Sequence, residues 1–445
     1  MSSLIKKYDK AGPRYTSFPP VPFWKGPPSE DQWFSHIDLY YRDDLGVDLY
    51  IHVPYCETLC YYCACNRVIT KNKEKGTLYV ELLKKEWEIY RRRLQNVRIG
   101  AIHLGGGTPN FLSASELGDL LAQFKDKIDF KRFIGSIEVD PRTLTRDHLQ
   151  VLVEFGFKRL SMGVQDFDQQ VQKSVNRIQD YQLIASTTKL AKQLGFESVN
   201  FDLIYGLPKQ SKQSISETIE KVICLNPDLI AFYSFAYVPG SAKGQNILKQ
   251  EEMAQGEAKR ELYEIGKKQL EQGGYIEIGM DHFALKGSYL EVAHTKKSLK
   301  RSFMGYSDKK SNILISLGAT SISNTPGSYI QNEKEVANFR QRVENGQLAI
   351  TVGHTQSEQD MDIDVTIQEI MCNGEANISK MRALHFWNQI EVELAEMEQD
   401  GILKLESDML YVTSLGNTFV RNIAMVFDPN LRDRSGDQPK FSRTI

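Results

Sequence analysis

The chain has 445 residues, of which 41% are hydrophobic and 25% charged, with a formal net charge of −2. That balance describes a globular chain large enough for one domain of barrel size plus a smaller one, and it excludes wholesale disorder. Acidic and basic residues are interspersed, so no whole-chain field selects nucleic acid or an anionic membrane; an anionic substrate has to be caught by local groups.

The first residues, MSSLIKKYDK, hold no apolar stretch of signal-peptide length. No later window approaches the roughly 20 apolar residues of a membrane span, so a cytoplasmic protein is expected. GPRYTSFPP, from Gly12 to Pro20, is rich in proline and cannot be helical. It predicts an extended arm, within residues 1–45, laid over the mouth of the next domain.

From Asp48 to Gly279, β-rich runs alternate with helical patterns: DLYIHV, IGAIHL, SIEV, KRLSMGV, SVNFDLIYG, DLIAFYSF and YIEIG. The alternation predicts an α/β fold, a parallel sheet with helices outside it, closing a partial or full barrel over residues 46–325. Ser113 and Glu116 form a capping-box pattern ahead of the stripe Leu117, Leu120, Leu121 and Phe124, and Gly156 and Gly195 stand where helices should stop. Polar residues gather at the C-terminal ends of the strands, the end at which βα barrels place reactive groups.

Four of the six cysteines, Cys56, Cys60, Cys63 and Cys65, fall in the single run YCETLCYYCACN. Clustered thiols without spaced pairs read as metal ligands in a reducing compartment rather than disulfides. The CxxxCxxC spacing suits three thiolates of a [4Fe-4S] cluster whose fourth iron stays open, whereas a structural zinc site ordinarily joins two separate knuckles. Cys224 and Cys372, in apolar helical contexts, are expected to be buried. GGGTP, at Gly105 to Pro109, is either a tight turn or a stretch of bared backbone that a ligand can approach.

After about Thr325 the pattern turns helical, over 332–345, 360–372 and 385–400, then gives a hairpin from Ile402–Leu405 and Met409–Val412 and a helix from Ser414. A smaller, mainly helical, winged-helix-like domain over 326–445 is expected. Its last elements carry little positive charge, which argues against nucleic-acid binding.

Cys56, Cys60 and Cys63 followed by the glycine run resemble the radical S-adenosylmethionine superfamily. The likeness narrows along the chain: KYDKAGPRYTSFPP, CETLCYYCACN, HLGGGTPNFL, SIEVDPRTL, RLSMGVQDF, VNR, NFDLIYGLPKQ, IGMDHFA and FSRTI are similar to the oxygen-independent coproporphyrinogen III oxidases, or coproporphyrinogen dehydrogenases. The resemblance implies a partial TIM-like barrel of the radical S-adenosylmethionine type. It implies oxidative decarboxylation of two propionates of coproporphyrinogen III to vinyl groups, giving protoporphyrinogen IX in haem synthesis. Loss of a propionate hydrogen atom leaves a substrate radical, and loss of one electron with CO₂ gives the vinyl.

The same resemblance implies a [4Fe-4S] cluster on Cys56, Cys60 and Cys63, and two S-adenosylmethionine molecules side by side. Tyr50, Tyr62, Gly106, Gly107, Thr108, Glu138, Gln165, Arg177, Asp202, Ala236 and Ile322 fall at the family's cofactor positions. Asp202 suits a ribose diol, and Glu138 and Arg177 suit the ammonium and carboxylate of the methionine moiety. Cys65 is a fourth family cysteine, needed near the cluster without being one of its three ligands. An external reductant and an electron acceptor are implied, and a monomer suffices. Arg14 and Arg301 are candidate partners for the substrate's propionates, while His52, His103 and His282 read as core histidines. Remaining alternatives are a haem chaperone or an anaerobic haem-degrading enzyme of the same superfamily, and a haem- or cluster-binding protein without radical chemistry.

Overall fold

The computed structural model describes residues 2–240, 242–308, 310–432 and 441–444. Six consecutive strands build most of the parallel barrel wall: β1 (Val47–Val53), β2 (Ile99–Gly106), β3 (Ile134–Val139), β4 (Phe157–Gln165), β5 (Ser198–Tyr205) and β6 (Leu229–Ser234); a seventh, Leu314–Leu317, pairs parallel on the other side of the first. Further strands are β7 (Tyr275–Gly279), β8 (His282–Leu285), β9 (Leu314–Leu317), β10 (Ile322–Thr325), β11 (Ser328–Asn332) and β12 (Ile350–Thr355). The order across the sheet is β12-β11-β10-β9-β1-β2-β3-β4-β5-β6-β8-β7. The wall is thus a partial barrel, open between β12 and β7.

Every residue of β1 is buried, as expected of a central parallel strand covered on both faces. Its outer side meets the helix Glu74–Arg93, which turns Tyr79, Leu83, Trp87 and Tyr90 inward at helical spacing. The capping box at Ser113 and Glu116 forms, and Gly156 and Gly195 take positive φ values of 79° and 108° at helix ends.

Three readings are corrected. Tyr275–Gly279 does not add a parallel repeat, because only two residues separate it from β8, far too few for a crossover; β7 and β8 pair antiparallel. The sheet also runs past Thr325, since β10, β11 and β12 form an antiparallel meander on β9 that carries residues up to Thr355. Cys224 is exposed on the helix Lys212–Leu225, whereas Cys372 is buried.

The C-terminal helices Glu358–Asn373 and Trp387–Gln399 enclose a second core with a three-stranded sheet of Glu375–Asn377, Leu403–Glu406 and Met409–Val412. Tyr15 and Phe18 of the arm are buried in that second core. The arm's carbonyls at Gly12 and Pro13 accept hydrogen bonds from Arg421. No described helix is long and apolar enough to cross a membrane.

Candidate active site

The cysteine loop leaves β1 at Pro54, and its backbone groups are held by several elements. Tyr61 N–H donates to Val175 O at 3.0 Å, Asn176 Nδ2 to Leu59 O at 2.8 Å, and Thr70 N–H to Cys56 O at 2.9 Å. Gln245, fully buried, donates to both Tyr62 O (2.8 Å) and Ala236 O (3.1 Å), which couples the loop to the residues following β6. Ile322 opens β10, so it lies on the other side of β1.

The glycine run has a structural reason of its own. A Cβ on Gly106 would stand 2.8 Å from the His52 ring, and one on Gly107 2.9 Å from the Pro54 carbonyl. The glycines therefore let the end of β2 touch the backbone from which the cysteine loop springs, and Gly107 N–H donates to Val53 O at 2.8 Å. Thr108 follows with its hydroxyl 3.2 Å from Cys56 Sγ.

The thiols meet cations and each other. Cys60 Sγ lies 3.5 Å from Arg177 Nη1 and 3.7 Å from Arg142 Nη2, and both guanidiniums pair with Asp140, at 3.3 and 2.6 Å. Burial pushes Cys56 up to about 11, with the neighbouring Cys63 and Cys60 adding to the rise. Cys65 is exposed and donates to Cys63, and that hydrogen bond is the main reason Cys63 falls to about 6. Among the described residues, no three Cys, His, Asp or Glu side chains converge as ligands of one metal ion. An iron–sulfur cluster asks for something else, thiolates set around a body of several atoms with compensating positive charge, and three thiols on one loop beside two guanidiniums meet that requirement.

Inside the barrel, Glu138, Asp202 and His103 line a cavity of about 140 Å³. Glu138 Oε1 meets His103 Nε2 at 3.2 Å, and His103 Nδ1 is fixed by Ser136 Oγ at 2.7 Å. Enclosure by protein opposes ionisation of Glu138, but hydrogen bonds from His103 and Gly106 N–H outweigh it and hold the carboxyl below its ordinary range. Asp202 is treated oppositely: burial and the nearby Glu138 push it up to about 7 despite hydrogen bonds from Asn200 and Ser161. Two carboxyls in one cavity are thereby biased to different protonation states. Tyr50 stacks on His103, with ring centroids 5.8 Å apart, and its hydroxyl is 3.0 Å from His52 Nδ1. Burial lowers His52 and His282 to about 4, which keeps both neutral.

Gln165, at the end of β4, is a non-glycine residue at φ 66°, and its buried Oε1 has no hydrogen-bond partner. A strained backbone presenting an unsatisfied acceptor is the kind of feature that persists where a ligand is met. Arg177 is fully engaged, by Asp140, Cys60 and Gly163 O (2.7 Å). Arg14 forms an ion pair with Asp281 at 3.0 Å, and Arg301 Nε donates to Arg14 O at 3.3 Å. Asp140, Arg142 and Gln245 are not among the site residues expected from the sequence. The motif SIEVDPRTL carried the first two, whereas nothing local marks Gln245.

Residues 50–222 match the Radical SAM superfamily model. Over 99% of this chain and 98% of its relative, the sequence is 36% identical to an oxygen-independent coproporphyrinogen III oxidase of Helicobacter pylori strain J99. It is 35% identical to the protein of that name from Escherichia coli K12, over 100% and 98%. The solved coproporphyrinogen III oxidase from Escherichia coli, described as a radical SAM enzyme, superposes with a TM-score of 0.89 at 32% identity, covering 96% of this chain and 98% of that one. A match of that extent, carried on the cysteine loop and glycine run just described, makes this chain a member of the oxygen-independent coproporphyrinogen III oxidase family within the radical SAM superfamily.

Proposed function

We propose that the chain catalyses the oxygen-independent oxidative decarboxylation of coproporphyrinogen III, converting two propionates to vinyl groups and giving protoporphyrinogen IX for haem synthesis. The observation that carries this reading is the end-to-end likeness to proteins of that activity, 36% identity over 99% of the chain. When bound, a [4Fe-4S] cluster and S-adenosylmethionine supply a 5′-deoxyadenosyl radical able to take a hydrogen atom from an unactivated propionate carbon.

The chain's own residues hold, orient and shield. Cys56, Cys60 and Cys63 ligate the cluster, Arg142 and Arg177 offset negative charge at Cys60, and Cys65 acts on Cys63 through its hydrogen bond. Gly106, Gly107 and Thr108 offer backbone and hydroxyl groups to the methionine moiety. Glu138, held ionised by His103, takes an ammonium, and Asp202 takes a ribose diol. Tyr50, Tyr62, Gln165, Arg177, Ala236 and Ile322 complete sites for two S-adenosylmethionine molecules per chain. Glu138 and Asp202 line one small cavity inside the barrel, and a cofactor bound there would displace water from the reacting atoms. In this reading the protein is a cytoplasmic monomer fed by an external reductant, and an electron acceptor takes the last electron. Residues 1–45 serve as its arm, 46–325 hold the reactive end, and 326–445 cover it.

The test is anaerobic incubation of the iron-loaded protein with dithionite, S-adenosylmethionine, coproporphyrinogen III and an added one-electron acceptor. Formation of protoporphyrinogen IX, CO₂ and 5′-deoxyadenosine is expected; 5′-deoxyadenosine without protoporphyrinogen IX overturns the substrate assignment.

A further inference from the structure

A tetracarboxylate substrate needs cationic partners, and most buried cations of the barrel are already spent on protein groups. Arg14 pairs with Asp281 at 3.0 Å, and Arg159 with Asp308 at 2.7 Å. Lys300 Nζ donates to Lys310 O, Ser311 O and Asn312 Oδ1. Arg301 is the exception. It is 8% exposed, and among the described residues no carboxylate lies within ion-pair distance of it. Its Nη1 is buried without any hydrogen-bond partner.

Its surroundings are built. Arg301 belongs to the hairpin Lys300–Ser302 and Gly305–Ser307 and lines a cavity of about 480 Å³, within the range of small-molecule sites. Asp48, on the same face of β1 as Tyr50, lines that cavity too, so it opens on the inner side of the wall. Met304 and Ser307 line both this cavity and the one holding Glu138 and Asp202, so the two are neighbours across the hairpin. The guanidinium is oriented from two sides, by the Arg14 carbonyl on Nε and by the Tyr306 ring, whose centroid is 4.8 Å away. A buried guanidinium with an unpartnered nitrogen is a poor structural element, and its planar donors match the two oxygens of a carboxylate.

We propose that the larger cavity seats the porphyrinogen and that Arg301 receives one of its propionates, with the arm's carbonyl at Arg14 acting as the positioning group. The proposal rests on the substrate reading given above. It also selects which propionate is bound. Pairing with Arg301 stabilises a carboxylate against conversion to neutral CO₂, so Arg301 holds a propionate that survives the reaction. Arg14, already neutralised by Asp281, is not the recognition group.

The experiment compares three stable probes on wild-type, Arg301→Gln and Arg301→Lys proteins: coproporphyrin III with four carboxylates, protoporphyrin IX with the two retained ones, and coproporphyrin III tetracarboxamide with none. Arg301→Gln is expected to weaken coproporphyrin III and protoporphyrin IX alike by about tenfold or more and to leave the tetracarboxamide unchanged, while Arg301→Lys restores part of the loss. Equal affinity of wild type and Arg301→Gln for coproporphyrin III overturns the proposal, and a loss confined to coproporphyrin III overturns the choice of a retained propionate. Should Arg301→Gln misfold, the series on wild type decides alone, since equal binding of acid and carboxamide overturns carboxylate recognition. Wild-type turnover of coproporphyrinogen III, run in parallel, separates failure here from failure of the substrate reading.

Discussion

The cysteine loop and the N-terminal arm are both irregular segments lying against the barrel, yet they are held in opposite ways. The loop is tied mostly through backbone groups to elements of its own domain, and glycines at Gly106 and Gly107 allow that contact. The arm is tied through long side chains from the far end of the chain: Tyr15 to Asp428, and Gly12 and Pro13 to Arg421. The loop's geometry therefore follows from the barrel, whereas the arm's geometry depends on the C-terminal core being folded. The first arrangement holds the loop's thiols by the barrel alone. The second makes the positioning of Arg301, through the Arg14 carbonyl, depend on Arg421, which holds the arm at Gly12 across 409 positions of chain.

The sharpest break of this comparison is in the loop. Cys56→Ala, Cys60→Ala and Cys63→Ala are each expected to abolish cluster binding, with iron content and anaerobic activity falling more than about 100-fold, beyond the loss typical of outer-shell changes. Cys65→Ser is expected to retain iron, because three other thiols suffice for the cluster and Cys65 acts on Cys63 by a hydrogen bond. Colorimetric iron and sulfide determination after reconstitution checks both, and an iron-free Cys65→Ser protein would make Cys65 a ligand.

The matching break in the arm is Arg421→Met. Arg421 is buried and donates to carbonyls of Gly12, Pro13 and Arg443, so its loss leaves buried acceptors without partners. A destabilisation of about 3 kcal/mol is expected from urea unfolding. Cleavage at the arm by dilute protease should rise while iron content stays at the wild-type level. Loss of iron together with the arm would show that the two regions are not independently held.

That division explains what the sequence made legible. Strands β1 to β6 announced themselves as apolar runs, and the capping box at Ser113 and the stop at Gly195 are local chemistry, so the register of the reactive end was readable. The meander β10 to β12 was not, although Pro326-Gly327 marks its turn. Many of its buried residues are polar, Ser323, Thr325, Ser328, Gln331 and Asn332 among them, and the strand Ser328–Asn332 is buried on both faces, so the alternation that betrays a strand is missing. The ion pair of Arg14 with Asp281 spans 267 positions, and no local pattern carries it. For the same reason Arg14 and Arg301 looked equivalent in the sequence, and only tertiary partners separate them.

The smallest effect concerns the base of the cysteine loop, which a buried acid supports. Glu86 is fully buried on the helix Glu74–Arg93 and accepts from Gly318 N–H at 2.7 Å and Asn332 Nδ2 at 2.6 Å. The adjoining Tyr79 hydroxyl donates to His52 O at 3.1 Å and accepts from Ala319 N–H at 2.8 Å, so the pair of side chains braces the end of β1. Burial raises Glu86 to about 8 in spite of the two hydrogen bonds that favour its charged form. An acid whose folded value lies above its unfolded value near 4.3 binds more protons folded than unfolded between the two. Its contribution is therefore complete at low pH and is lost as pH rises through about 8. The stability difference between wild type and Glu86→Gln, which does not titrate, is expected to shrink by about 1 kcal/mol per pH unit between pH 6 and 8. Urea unfolding of both proteins at three pH values measures it, and a pH-independent difference would mean that Glu86 is ionised in the fold.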